Sequence, residues 1–299
     1  NTKLDFIGKR TIAFGFSIVL MILSIGFFAV KGLNYGIDFK GGILMEVRTP
    51  VAHDIDNLRD RLKGLNLGEV ALQEFGEPTD VLIRVERQDG GEKAQQVAVE
   101  RVKKALGKSV TSYRRTEFVG PKVGGELVQA GILAVVLSLF AIMVYVWFRF
   151  EWQFSIGAIN ALTHDVIATI GIFSVLGLEF NLATVAAILT IAGYSINDTV
   201  VVFDRIRENL RKFKSMEIDA LLNLSINDTL SRTLLTSITT LLALVAIYFF
   251  GGAVIHDFAF ALIWGVLIGT YSSIYVASPV VMRLNIRETI SQGSVGNED

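Results

Sequence analysis

Six long apolar stretches, separated by polar segments, dominate the hydrophobic pattern of the chain. A helix needs about 20 apolar residues to cross the hydrocarbon core of a bilayer, because its backbone polar groups must all be satisfied within the helix. The pattern therefore predicts six membrane-spanning helices. They run approximately over Thr11–Val30, Leu127–Phe148, Phe154–Leu178, Leu182–Phe203, Thr233–Phe250 and Phe258–Met282. The first lacks an obvious small-residue cleavage site, so we interpret it as a retained span rather than a signal peptide.

The polar segment between the first two spans has the pattern of a small α+β domain. Four runs rich in apolar residues resemble strands, and two segments between them have helical spacing. The strand-like runs are Ile43–Val47, Val70–Phe75, Val81–Val85 and Ser109–Val119, and the helical segments are His53–Leu62 and Glu92–Leu106. This order is that of a ferredoxin-like unit, a common fold that does not define a function.

The Lys and Arg residues that flank the spans predict the orientation of the chain. If the six spans alternate, these residues fall on one side, whereas the opposite short loops, 179–181 and 251–257, contain none. Because the positive charges of short loops stay in the cytoplasm, both termini are predicted to be cytoplasmic. The predicted fold class is a polytopic α-helical membrane protein with six transmembrane helices and a ferredoxin-like α+β periplasmic domain between the first and second helices.

These patterns divide the chain into four predicted parts. They are the cytoplasmic N-terminus and first helix (1–30), the periplasmic domain (31–124), a five-helix transmembrane bundle with a cytoplasmic loop at 204–231 (125–284), and a cytoplasmic tail (285–299). Within the loop, apolar residues recur with helical spacing over 216–230. This spacing predicts an amphipathic helix on the cytoplasmic membrane surface or, alternatively, a surface that docks another protein.

Composition narrows the classes of function. Apolar residues make up 52% of the 299 residues and charged residues 19%, which favours membrane transport or assembly. A net charge of −1 argues against nucleic-acid binding, which needs a strongly basic surface. The lack of cysteine excludes thiolate sites, and three histidines leave little for metal binding, so no metal or cofactor is expected.

Asp165 lies inside the third predicted span, where a charge is expensive and usually faces a bundle interior or a water pathway. Gly157, Ala161, Asp165 and Thr169 are spaced four apart, so they share one helix face, and small residues on that face predict close packing. His164 is the neighbouring polar residue on the same helix. Two interpretations remain open for Asp165, an ion-pathway residue or a hydrogen-bonded packing residue.

Asp198 lies in the fourth predicted span, beside Tyr194 and Asn197. A low-dielectric bundle favours the neutral form of a carboxylate, which makes reversible protonation feasible, and a nearby arginine would favour the charged form. Arg232 begins the fifth span, at the head of a face with Thr236 and Thr239. Two alternatives remain. Asp198 is neutralised and has only a structural role, and Arg232 only anchors the helix at the membrane surface.

The sixth predicted span contains small residues at every fourth position. They are Ala261, Gly265, Gly269, Ser273 and Ala277. Such a face lets another helix backbone approach closely. We expect it to pack within the chain rather than against a partner.

Three separated motifs resemble those of the SecF family of bacterial protein translocase subunits. The first is Gly36-Ile37-Asp38-Phe39-Lys40-Gly41-Gly42, the second is Phe118-Val119-Gly120-Pro121-Lys122-Val123-Gly124, and the third begins Gly193-Tyr194-Ser195-Ile196-Asn197-Asp198-Thr199 and continues with Asp204-Arg205-Ile206-Arg207-Glu208-Asn209. They occur in the family's order, and the resemblance covers nearly the whole chain.

The resemblance implies a transport function rather than an enzyme. Members of this family pair with SecD, in some bacteria as one fused chain, and belong to the resistance-nodulation-division superfamily of proton-driven exporters. It implies association with the SecYEG channel and YajC in the inner membrane, and use of the proton-motive force to pull preproteins outward after SecA has acted. The family's membrane aspartate and arginine would fall on Asp198 and Arg232.

Rival functions remain open at this point. Half of a proton-driven small-molecule or lipid exporter would share the same ion chemistry. An intramembrane aspartyl protease would use Asp165 and Asp198 as a dyad, although the Gly-X-Gly-Asp element expected of such proteases is replaced by Ile196-Asn197-Asp198. An ATP-driven machine is disfavoured, because the phosphate-loop candidate at Gly107 has Val102 where a glycine is required.

Overall fold

The computed structural model describes residues 4–50, 55–68, 70–75, 77–251 and 253–287. Within these residues, six helices are long and apolar enough to cross a membrane, as the hydrophobic pattern predicted. The spans are α1 (Arg10–Lys31), α5 (Pro121–Arg149), α6 (Trp152–Leu176), α7 (Leu182–Lys212), α8 (Ile218–Phe250) and α9 (Ala253–Ser272), the last continued by a π-helical turn (Ser273–Ala277) and α10 (Ser278–Arg283).

The segment between the first two spans is a ferredoxin-like α+β domain. Its elements are β2 (Gly42–Arg48), α3 (Ile55–Lys63), β3 (Val70–Phe75), β4 (Glu77–Glu86), α4 (Gly91–Leu106) and β5 (Ser112–Val119). The strands form an antiparallel sheet in the order β3-β4-β2-β5. Ile43, Met45 and Val47 are fully buried, whereas Leu44 and Glu46 are partly exposed, because alternate strand residues point to opposite faces. The predicted helix start at His53 lies outside the described residues.

A second, two-stranded sheet joins this domain to the membrane helices. The strands β1 (Asn34–Tyr35) and β6 (Glu179–Phe180) pair in parallel, and β6 belongs to the connection between α6 and α7. The short helix α2 (Ile37–Lys40) follows β1 and packs against the start of α5. The domain is therefore fixed to the bundle by main-chain pairing as well as by its covalent links.

The bundle is built around α6, α7 and α9. The aromatic rings of Phe150, Phe154 and Phe203 pack together in its core, with ring centroids 4.9 to 6.5 Å apart. By contrast, α1, α5 and α8 expose many large apolar side chains. In a membrane, such faces meet lipid or another subunit.

The prediction of a separate surface helix over 216–230 is wrong. The segment is helical, as its spacing predicted, but it lies within α8, which begins at Ile218 and continues into the fifth span. The preceding helix, α7, extends to Lys212. The apolar residues Leu221, Leu222 and Ile226 of the segment are buried in the bundle core. No glycine or proline interrupts α8, so nothing in its sequence ends the helix at the membrane boundary.

The sixth span changes its helical pitch near its end. Pro279 has no backbone N–H, so the carbonyl of Tyr275 has no donor four residues later, and the proline ring crowds the preceding turn. The π-helical turn over Ser273–Ala277 ends two residues before this proline. Such turns often occur at functional sites.

Candidate functional site

Asp165 is the most deeply buried carboxylate of the bundle, with 0% of its surface exposed. Its Oδ2 accepts hydrogen bonds from Ser195 Oγ at 2.6 Å and Ser272 Oγ at 2.8 Å, and its Oδ1 lies 3.1 Å from His164 Nδ1. These partners come from α7, α9 and its own helix α6. The carboxylate is therefore fixed at the point where the three central helices meet.

Asp198, on α7, has a separate set of donors. Thr233 Oγ1 on α8 donates to its Oδ1 at 2.5 Å, and Ser273 Oγ donates to its Oδ2 at 2.6 Å. The residue is 7% exposed. These two buried carboxylates thus depend mainly on hydroxyl groups supplied by neighbouring helices.

Ser272 and Ser273 connect the two carboxylates through one point of the chain. They are consecutive residues where α9 passes into the π-helical turn, and each binds a different carboxylate. Successive helical residues point about 100° apart, so one serine reaches α6 and the other α7. Close helix contact makes this possible, because a Cβ on Gly269 would lie only 3.2 Å from Ser195 Cβ.

The face of small residues on the sixth span packs within the chain. A Cβ on Gly265 would lie 2.2 Å from a side-chain carbon of Ile191 on α7. Ala261, Gly265, Gly269, Ser273 and Ala277 are all buried. Ser273 was predicted only as a packing residue, and its hydroxyl is in addition a donor to Asp198.

Arg232 does not pair with Asp198 in this arrangement. Its side chain is exposed on α8, and no ion pair joins the two residues within the described part of the chain. Thr233, the next residue after Arg232, lies beside the carboxylate of Asp198 instead. The hydroxyl groups of Thr236 and Thr239 donate to carbonyl groups of their own helix.

The other predicted pathway residues, Tyr194 and Asn197, make no hydrogen bond to either carboxylate within the described residues. Tyr194 donates to Ser237 Oγ at 3.4 Å, and Asn197 is exposed on the outer face of α7 together with Gly193. The sequence interpretation missed Ser195, Ser272 and Thr233 as carboxylate partners. A search for hydroxyl residues inside apolar spans would have found them as candidates, although it could not have shown which carboxylate each one binds.

The glycine motif after the first span lies at the junction between the α+β domain and the bundle. A Cβ on Gly36 would lie 2.5 Å from Glu179 Oε1, so only glycine fits there without displacing that side chain. Gly41 and Gly42 link α2 to β2 with φ of 77° and 154°, which other residues rarely adopt. Asp38 Oδ2 accepts from the Leu182 backbone N–H at the start of α7.

The second motif begins the helix that leaves the domain. Gly120 precedes α5 in an extended conformation, and Pro121 is its first residue. Proline suits this position, because its fixed φ is helical and the N–H it lacks would have no partner there.

An ion pair also crosses the junction. Arg84 Nη1 on β4 lies 2.6 Å from Glu179 Oε1, and the backbone N–H of Glu179 donates to Asp257 Oδ2 at the start of α9. Burial raises the pKa of Glu179 above its ordinary value, and the Arg84 guanidinium offsets this effect only in part. One glutamate thus connects the domain, the α6–α7 connection and α9.

The geometry argues against an aspartyl-protease dyad. Such a dyad requires two carboxylates close enough to share one proton. Asp165 and Asp198 instead have separate donors, and no hydrogen bond joins their side chains within the described residues. The described part of the chain also contains no cluster of three His, Asp or Glu side chains that could hold a metal ion.

Comparison with known proteins gives consistent matches. The family model described as protein export membrane protein SecD/SecF, C-terminal, matches residues 98–287, and the model described as SecD/SecF GG motif matches residues 26–49. The chain is 47% identical to the protein translocase subunit SecF of Rhodobacter capsulatus, over 96% of this chain and 90% of that protein. It is 46% identical to SecF of Rickettsia akari, over 93% of this chain and 90% of that protein.

A solved structure has the same fold. SecDF from Thermus thermophilus, described as a translocon-associated membrane protein, matches 95% of this chain with a TM-score of 0.79 and 38% identity. The chain spans only 39% of the length of that SecDF protein.

Proposed function

Because the chain belongs to the SecD/SecF family of protein-export membrane proteins, we propose that it is the SecF-type subunit of a Sec protein translocase. With SecD, it couples the proton-motive force to a late stage of protein export across the inner membrane. The observation that carries this proposal is the similarity, over almost the whole chain, to proteins named as translocase subunits. The role is transport rather than catalysis of a chemical reaction.

A SecD-like partner covers the polar outer face of α7 and α8. Asn197 of α7 and Arg232 of α8 are both exposed, and Arg232 is next to Thr233, which binds the buried Asp198. An arginine exposed to hydrocarbon costs on the order of 2.5–3.5 kcal/mol on insertion scales, so a protein or aqueous surface is expected against it. The length of the matched SecDF chain, which leaves room for a second half, supports the same partner.

The wider assembly follows from the family. We infer contacts with the SecYEG channel and YajC, action after SecA, and contact between the α+β domain and unfolded preprotein. A mild-detergent pull-down tests this inference. Recovery of a SecD-like protein with the channel supports it, whereas recovery of the chain without them favours an exporter of the same superfamily.

The charge distribution supports a cytoplasmic location for both termini and a periplasmic location for the α+β domain. Arg149, Arg205 and Arg207 lie at one end of the bundle, opposite the junction that holds Glu179. Positive residues of short connections stay on the cytoplasmic side. The acidic junction therefore faces the periplasm, from which protons enter.

Asp198 is the proton-carrying residue in this proposal, and Arg232 is its switchable partner. The structure corresponds to an arrangement in which hydroxyl groups hold Asp198 and Arg232 lies outside. When Asp198 is charged, attraction to Arg232 favours a second arrangement of α8, and protonation removes that attraction. The gradient supplies about 2.3 kcal/mol per charge per 100 mV, enough for a more than tenfold population shift.

The decisive experiment measures export driven by the proton-motive force in membrane vesicles. Asp198→Asn is expected to reduce the proton-dependent component more than tenfold while the protein still assembles. Asp204→Asn is the matched control, because Asp204 lies on the same helix but is exposed, with 60% of its side chain accessible. Intact proton-dependent export in Asp198→Asn would exclude the proposal. Arg232→Ala should lose the same activity, with Arg232→Lys intermediate.

A further inference from the structure

His164 is buried beside Asp165, and one of its ring nitrogens has no partner. Its side chain is 5% exposed, and its Nδ1 lies 3.1 Å from Asp165 Oδ1. Its Nε2 is buried and has no hydrogen-bond partner within the described residues. Buried polar atoms are almost always paired, so an unpaired ring nitrogen in the centre of a membrane bundle requires an explanation.

We propose that His164 and Asp165 form a second proton-binding site, separate from Asp198, in which Nε2 of His164 takes up the proton. The inference rests on the proposed function for its role in export. The proton binding itself depends only on the two side chains. Histidine is suited to this task, because its charge changes within the physiological pH range.

The proton balance follows from the geometry. An ionised carboxylate can only accept, so with Asp165 ionised it is the Nδ1 of His164 that carries a hydrogen and donates it to Oδ1. The lone pair of Nε2 then remains free. A hydronium ion that reaches the site breaks one O–H bond and forms the Nε2–H bond. The charge of the pair changes from −1 to 0, and the resulting imidazolium lies directly against its counter-charge.

The surroundings leave Asp165 as the dominant charged neighbour of His164. The ring of Tyr271 on α9 is 6.1 Å away between centroids, but its hydroxyl donates to Ala13 O and also bonds Ser17 Oγ on α1. Those two residues of α1 do not titrate.

Two further titratable groups belong to elements packed against α6. Tyr275, in the π-helical turn, lies against the ring of Tyr271, with centroids 5.3 Å apart. Asp198, on α7, is linked to the site through the serine pair. The charged residues of α5 lie near its two ends, as with Glu126 and Arg149, and the charged residue of α10, Arg283, stacks on Phe14 at the end of that helix.

The serine pair links the two sites. Ser272 binds Asp165 and Ser273 binds Asp198, and the two serines are neighbours at the π-helical turn. Protonation of His164 neutralises the pair and so weakens the attraction of the Asp165 carboxylate for the hydroxyl group of Ser272. The position of Ser273, and therefore the environment of Asp198, depends on the same turn. The protonation of His164 is thus expected to influence Asp198.

The chain provides its own control, because a second His–Asp pair lies at the outer end of α9. His256 Nδ1 is 3.2 Å from Asp257 Oδ1, and these side chains are 42% and 29% exposed. The two pairs have the same sequence and similar geometry but differ in burial. With three histidines in the chain, histidine-selective ¹⁵N labelling gives few signals to assign.

The test is an NMR pH titration of the full chain in lipid nanodiscs, with His164→Gln used to assign the His164 signals. His164 is expected to change from the neutral to the imidazolium form as pH falls. Asp165→Asn should lower its proton affinity about tenfold or more, because it removes the adjacent negative charge. Asp257→Asn should shift His256 and leave His164 unchanged, and Asp198→Asn should shift His164 less than Asp165→Asn does.

The proposal is overturned if His164 keeps one form across pH 5 to 9, or if it titrates identically in the wild type and in Asp165→Asn. An NMR spectrum typical of the folded protein, recorded for each variant, excludes misfolding as the cause of a changed titration. These readouts need no export activity, so failure of the proposed function leaves them intact. Conversely, normal proton-driven export together with a His164 that does not titrate would reject this site without affecting the proposed role of Asp198.

Discussion

Carboxylates are held in two contrasting ways in this molecule, by hydroxyl groups inside the bundle and by arginine outside it. Asp198 accepts from Thr233 and Ser273, and its neighbour Asp165 accepts from two serines and a histidine. Outside the bundle, Glu179 lies 2.6 Å from Arg84, and Asp80 lies 2.6 Å from Arg48. The two regions place the same chemical group in different electrostatic settings.

The difference concerns what happens to the partners of a carboxylate when it is protonated. A hydroxyl group donates to a carboxylate, and by rotating it accepts from a carboxylic acid, so the partners remain when a proton arrives. Arginine only donates and stays charged, so protonation of its partner removes the attraction between them. A hydroxyl-held carboxylate therefore keeps its hydrogen-bond partners when a proton binds, whereas an arginine-held carboxylate loses its ion pair.

Removing both hydroxyl donors of Asp198 should have the largest effect. Thr233→Val combined with Ser273→Ala leaves the carboxylate buried without its two donors. Leaving a buried polar group without its partner costs about 1–3 kcal/mol, so with two donors removed we expect a loss of roughly 3 kcal/mol in the free energy of unfolding. Denaturant unfolding in mixed micelles at pH 8 measures it.

The matched control repeats these substitutions in an Asp198→Leu background. There the hydroxyl groups have no carboxylate to bind, and the loss should fall to below about 1 kcal/mol. An equal loss in both backgrounds would mean that Thr233 and Ser273 act through packing alone. In that case the contrast between the two regions would not hold.

Separating Glu179 from Arg84 should have an intermediate effect. Arg84→Met leaves a partly buried glutamate without its cation, and we expect about 1 kcal/mol of local destabilisation at pH 8, limited by solvent screening. Because burial raises the pKa of Glu179, the loss should shrink as pH falls and the carboxyl becomes neutral. Hydrogen exchange of the amides of β4 and β6 measures it.

Glu179→Gln is the companion variant. It removes the charge but keeps the size and a hydrogen-bond acceptor for Arg84, so its effect at pH 8 should be smaller than that of Arg84→Met. A pH-independent effect of Arg84→Met would contradict the assignment of Glu179 as the titrating group.

The sequence predicted the architecture because the relevant signals are local. Hydrophobic length identifies a span within one segment, and the alternation of Ile43, Met45 and Val47 identifies a strand and its buried face. The ferredoxin-like order of elements followed directly. The same logic failed for the start of α8, because an amphipathic stripe is equally compatible with lipid and with protein, and only the three-dimensional packing selects between them.

The site was predicted only in part for a similar reason. The cost of a membrane charge identified Asp165 and Asp198 without any structure. Their partners depend on how three helices are rotated relative to one another, which residue spacing along one helix does not specify. Thus Arg232 was expected beside Asp198, whereas its neighbour Thr233 faces that carboxylate and Arg232 faces outward.

The smallest expected effect is an opposite pH dependence of two arginine-held carboxylates. A hydrogen bond from Arg48, with the nearby charge of Arg114, lowers the pKa of Asp80 below its ordinary value. The ionised Asp80 therefore stabilises the fold above about pH 4, and this stabilisation is lost as pH falls through the pKa that Asp80 has in the folded state. The pKa of Glu179 is raised, so the folded state binds more protons than the unfolded state. The contribution of Glu179 to stability therefore becomes more favourable as pH falls from neutrality.

Hydrogen exchange of β2 and β6 between pH 3 and 7 should show the two trends in one sample. Asp80→Asn should abolish the acid-induced loosening of β2 while β6 keeps its trend, and parallel loss of both trends would mean that the two carboxylates do not act independently.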